Sequence, residues 1–202
     1  MDLTDLLQGQ LSEGLLEQLT GQLGGADKQQ TQAAAGGILE TLVGALAKNA
    51  STPDGASALN NALENDHDGS IFDNLTDFIG GNTEKVNSRT ANGSGILNHI
   101  LGEKQGGAVD MISKMSGLDS SKTGSLMATL APIVMGALGK TKKSSGLDVG
   151  GLVSMLSGVV GARKNADNPM MGMITGFLDK DGDGSIVDDV AGSLLGRLFG
   201  RK

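Results

Sequence analysis

The sequence predicts an all-α fold. Leucines recur at helical spacing from the start of the chain, apolar stretches open on capping residues, and β-branched residues never cluster into an alternating strand pattern. In the first stretch, Leu3, Leu6, Leu7, Leu11, Leu15, Leu16 and Leu19 form one stripe of an amphipathic helix, expected to begin around Asp2 to Thr4 and to fade at Gly24 and Gly25. In "DKQQTQAAAGGILETLVGALAKN", Asp27 followed three residues on by Gln30 is the capping-box arrangement, and Asn49 closes the apolar pattern. A third helix is expected in "TPDGASALNNALEN", with Pro53 in its first turn and Glu64 near its end.

The second half repeats the first. At an offset of 92, "GADKQQTQAAAGGILETLVGALAK" from Gly25 lies over "GLDSSKTGSLMATLAPIVMGALGK" from Gly117 without a gap. Gly25, Asp27, Thr31, Gly44, Ala45, Leu46 and Lys48 coincide with Gly117, Asp119, Thr123, Gly136, Ala137, Leu138 and Lys140. A polar segment repeats at an offset of 115: "DHDGSIFDN" from Asp66 matches "DGDGSIVDD" from Asp181. The 23-residue difference between the offsets falls in "KTKKSSGLDVGGLVSMLSGVVGARKNADNPM", expected to be a flexible basic loop, a short apolar helix and a polar turn. The organisation expected is two pseudo-repeated helical units, 1–92 with a loop at 64–74 and 93–202 with a loop at 179–189, either separate or merged into one domain. The stretch "GGNTEKVNSRTANGSG" at 80–95 reads as the linker between them.

The two loops carry the candidate chemistry. Asp179, Asp181 and Asp183 stand at the first, third and fifth positions of an EF-hand-type calcium loop, Gly184 supplies the turn, and Ser185 offers its carbonyl at the seventh. The glutamate expected at the twelfth position is missing, since Val190 stands there, so Asp188 or Asp189 would have to close the shell. In the first loop the matching positions are Glu64, Asp66, Asp68 and Ser70, with Asp73 in the place of Asp188. Calcium is expected over magnesium, because a loop of many oxygen ligands suits the larger, looser shell. The competing reading is turn chemistry: "SIFD" and "SIVD" are serine-x-x-acid capping boxes, and the aspartates then only shape turns. Carboxylates converging at period two repel unless a cation or wide solvation intervenes, which favours the metal reading.

Composition excludes several function classes. The 202 residues contain four Phe, no Trp, no Tyr and 33 Gly, so an aliphatic core must pack closely where glycine permits. A net charge of −7 argues against a nucleic-acid surface. The basic clusters Lys140, Lys142, Lys143 and Arg197, Arg201, Lys202 read as a solvated loop and a solvated helix end. There is no cysteine, hence no disulfide or thiolate site. With neither a positively charged leader nor an apolar run near 20 residues, a soluble cytoplasmic protein is expected.

Nothing in the chain asks for a reaction. His67 is expected to be solvated and His99 at least partly buried; neither has a nucleophile or second base at a useful spacing. The glycines near residue 37 lack the lysine-serine pair of a phosphate loop. The methionines of "NPMMGMITGFL" read as core before they read as a calcium-opened groove.

The blocks "GILNHILGEKQ", "MISKMSGLDSSKTGSLMATLAPIVMGALGK" and "FLDKDGDGSIVDDVAGSLLGRLFG" resemble the bacterial DUF937 proteins, a family without an assigned function. The likeness covers residues 94 to 200 well and the N-terminal half as a more divergent copy. It implies a soluble, mainly helical bacterial protein with an aspartate-rich C-terminal loop, and no catalytic residue or substrate. The function expected is a non-enzymatic, calcium-binding helical scaffold or interaction protein. The alternatives are a homo-oligomeric assembly protein with the aspartates as caps, and, more remotely, a divalent-metal-dependent hydrolase.

Overall fold

Two long helices organise the chain because each opens on a strong cap and is buried on every side through its middle. The computed structural model describes residues 13–164 and 169–178. In order these form α1 (Glu13–Gln22), α2 (Lys28–Asn49), α3 (Pro53–Asn65), a 3₁₀ turn (Ser70–Asn74), α4 (Leu75–Ile79), α5 (Ser88–Ala91), α6 (Gly93–Leu101), a second 3₁₀ turn (Gly102–Lys104), α7 (Gln105–Ser116), α8 (Ser120–Ser145), α9 (Val149–Lys164) and α10 (Pro169–Leu178). No strand occurs among the described residues, so the fold class is all-α.

The caps are those the sequence suggests. Asp27 accepts the Gln30 amide at 2.9 Å ahead of α2. Thr52 accepts the Gly55 amide at 3.1 Å ahead of α3, with Pro53 at its first position. Asp119 accepts the Ser121 and Lys122 amides at 2.8 and 3.3 Å ahead of α8.

Every residue of 37–47 in α2 and of 130–139 in α8 is buried, and all but Glu40 and Thr41 of these are apolar or glycine. Helices α1, α6, α7, α8, α9 and α10 pack around α2, while α2, α3, α6, α7 and the first 3₁₀ turn pack around α8. One continuous aliphatic core results, running from Leu15 to Leu178 and crossing residue 92 without interruption.

Pro132 lies inside α8 and has no N–H to give the carbonyl of Ala128, four residues earlier. Gly93, at the start of α6, sits so close to that carbonyl that a Cβ there would overlap it. The residue that weakens the helix ladder therefore also opens the place where α6 crosses.

Two expectations need correction. The stretch 80–95 is not a plain linker: it contains α5 and the start of α6, each capped by an asparagine, Asn87 through the Arg89 amide and Asn92 through the Gly95 amide. Lys140 to Ser145 do not form a flexible basic loop but the last turns of α8, ended by Gly146 in the left-handed region (φ 61). Those turns persist because three lysines on them have partners, described below.

Helix α10 closes over α2. Ile174 and Leu178 are buried, Leu178 against Gly44, whereas Met173 is 51% exposed. The Nζ atoms of Lys48 and Lys104 each donate to the carbonyl of Leu178 at 2.8 Å, placing two cations at the negative end of the helix.

Candidate functional site

The first acidic loop begins as α3 runs out. Glu64 lies in the last turn of α3 and Asp66 is its C-terminal cap residue. Gly69 takes a positive φ of 98°, which turns the chain into the 3₁₀ segment Ser70–Asn74. Ile71 is buried, and the turn rests on α8.

That resting place is made by two glycines. A Cβ at Gly139 would overlap the carbonyl oxygen of His67, and one at Gly136 would overlap the side chain of Ile71. Backbone can therefore lie directly on α8 at Gly139, with Ile71 filling the notch at Gly136. Lys140 then reaches over the loop, its Nζ 5.3 Å from the centre of the Phe72 ring, a cation–π contact.

Three acids of the loop, Glu64, Asp66 and Asp68, each face a cation of the chain. Glu64 accepts from Lys142 Nζ at 2.7 Å, and Lys142 is only 13% exposed. Asp66 Oδ1 lies 3.7 Å from Arg89 Nη1 of α5, and the Asp66 carbonyl accepts from the Thr90 hydroxyl. Asp68 lies 3.9 Å from Lys143 Nζ and accepts the Ser70 amide at 3.0 Å. The Lys142 hydrogen bond holds the Glu64 carboxyl below its ordinary range, and the Ser70 hydrogen bonds do the same for Asp68.

The predicted ligand set of this loop is thus not brought together around one point. Glu64 leaves on a helix, Asp66 turns toward α5, Asp68 folds back on Ser70, and Asp73 is exposed within the 3₁₀ turn. Among the described residues no group of three or more His, Cys, Asp or Glu side chains is arranged to hold a metal ion. The capping-box reading of "SIFD" also changes: Gly69 takes the N-cap position without a side-chain bond, and Ser70 gives its amide to Asp68, an Asx-type turn. The ligands proposed for the second loop, Asp179, Asp181, Asp183, Ser185, Asp188 and Asp189, lie outside the described residues.

Both histidines are placed contrary to expectation. His67 is 5% exposed, and its Nδ1 has no hydrogen-bond partner. Burial pushes its pKa down from the ordinary 6.5, with Asp66 opposing the shift. His99 lies on the exposed side of α6, with Nδ1 3.1 Å from the Gly95 carbonyl.

The residues missed by sequence reasoning are the partners: Arg89, Thr90, Gly136, Gly139, Lys142 and Lys143. A signal for two of them, Lys142 and Lys143, was present. The lysines 140, 142 and 143 and the acids 64, 66 and 68 are short runs of opposite charge, but nothing in their spacing says that they meet.

The class defined by this geometry is an all-α protein built on two long core helices, with an acidic turn docked on the second. The chain belongs to a family of bacterial proteins of unknown function, DUF937, whose model matches residues 5–141. The match takes in α2, the first acidic loop and its seat on α8, and it stops before α9, α10 and the second acidic loop. No curated protein and no solved structure matches the chain.

Proposed function

We propose that this protein is a non-enzymatic helical scaffold or interaction module of two related units, with calcium binding confined to the C-terminal loop 179–189. The observation that supports the scaffold reading is how the polar side chains are used. Asp27, Asp119 and Asp148 cap helices, Glu64, Asp66 and Asp68 pair with cations, and Thr31 and Thr123 bond to backbone.

Matched positions support the reading of two units. Thr31 and Thr123 are both fully buried and return their hydroxyls to the carbonyls of Asp27 and Asp119, at 2.8 and 2.9 Å. Gly44 and Gly136 each receive a segment from the other half of the chain, Leu178 and Ile174 at one and Ile71 and Phe72 at the other. Lys48 and Lys140 stand four residues beyond, each holding the segment that arrives.

The two loops differ in sequence, and the acids of the first have partners of their own. Loop 64–74 has Arg89, Lys142 and Lys143 against its acids. Loop 179–189 keeps the stronger ligand pattern, with Asp179 where the first loop has Glu64.

Isothermal titration with calcium on chelator-treated full-length protein tests this, with magnesium as control. One site is expected, lost in Asp181→Ala and kept in Asp66→Ala. No binding, with light scattering showing a homo-oligomer indifferent to chelator, would replace the reading with an assembly protein whose aspartates only shape turns.

A further inference from the structure

The acids of loop 64–74 and the cations against them make a device of their own, independent of any calcium in the C-terminal loop. Residues 66–72 touch α8 over Gly136, Gly139 and Lys140, and the closure is charged on both flanks. Lys142 pairs with Glu64 on the α3 side, Lys143 faces Asp68, and Arg89 reaches Asp66 from α5. Three positive groups from two helices thus occupy the role an ion would have in a metal loop. They compensate the three carboxylates, so the period-two acids of the sequence need no divalent partner here.

We propose that residues 66–72 form a strap closed on α8 by the chain's own cations, which opens with ionic strength and not with removal of calcium. Two features make it reversible. The Arg89 and Lys143 ends of the ion pairs are at the surface, where salt screens them within about 10 Å at 0.1 M, and Lys142, although itself largely covered, meets an exposed Glu64. The buried hold is confined to Ile71 and the His67 ring, with a half-buried Phe72, on the room that Gly136 and Gly139 leave. Opening would uncover a groove floored by Gly136 and Gly139 and edged by Lys140, Lys142 and Lys143.

The test is amide hydrogen exchange of the full chain, read by mass spectrometry over 66–72 with α2 and α6 as internal references. Going from about 0.05 to about 0.5 M sodium chloride should raise exchange in the strap roughly tenfold and leave α2 unchanged. The variant Arg89→Gln/Lys142→Gln/Lys143→Gln should show the fast rate at low salt already and lose the salt response. Gly139→Ala, which alters no charge, should open the strap by displacing the His67 carbonyl. Calcium against chelator at matched ionic strength, in an Asp181→Ala background so that the C-terminal loop does not enter, should change nothing. A strap rate indifferent to salt and to the triple variant, closure that survives Gly139→Ala, or protection specific to calcium would each overturn the proposal.

Discussion

His67 stands out among single residues because it is buried without a partner for Nδ1, in the middle of an acidic run. A buried imidazole binds its proton less readily than one in the unfolded chain, so between the ordinary 6.5 and its lowered folded value the unfolded state carries more protons. Stability should therefore fall as pH drops through that window. Glu64 and Asp68 act in a separate range: their depressed pKa values stabilise the fold above the unfolded carboxylate values, and that contribution goes only as pH falls through the folded ones. Urea midpoints followed by circular dichroism from pH 7.5 to 5.5 should decline in the parent and decline less in His67→Gln. An equal slope in both would assign the effect elsewhere. The sequence placed His67 beside acids and so suggested a solvated ring. Its backbone carbonyl lies against Gly139, far along the chain, a contact that no local pattern reports.

The elements were far more legible. The caps Asp27, Thr52 and Asp119 and the apolar runs behind them act within one turn of their own position, so sequence alone places α2, α3 and the start of α8. What failed is where local signals were read without their partners. Lysines at 140–143 suggest a loop until Glu64, Phe72 and Asp68 are placed against them, and 80–95 suggests a linker until Asn87 and Asn92 are seen to cap α5 and α6. The strength of the caps can be measured. Asp119→Ala should cost about 1 kcal/mol, lowering the melting temperature by about 2–4 °C in a chain of this size. Asp119→Asn, which keeps an acceptor, should recover most of the loss, and failure to do so would show that charge at the helix start, rather than the hydrogen bond, is what counts.

Over the whole molecule the consequence is cooperativity. The core is continuous across residue 92, and α3 packs on α8 while α9 and α10 pack on α2, so neither half completes its own interior. Thermal or urea unfolding should give one transition, with circular dichroism and exchange in α2 and α8 moving together. A separate early transition for residues 93–178 would contradict this. The repeat seen in the sequence hinted at two units, yet it could not tell whether each would fold on itself or across to the other, because an offset carries no information about which copy of a contact is made. The candidate site shows the same limit at longer range: its acids were legible by spacing, and its cations were not.

The seat of the acidic turn has a further consequence, for synthesis. Residues 67–71 leave the ribosome well before Gly136 and Gly139, a gap of roughly 70 residues or several seconds at about 5–20 residues per second. When that interval begins α2 has been made, but α7, α8, α9 and α10, which cover it, have not. The nascent first half must wait with an apolar helix uncovered, and a trailing chaperone or a pause in translation near residue 80 would meet it in that state.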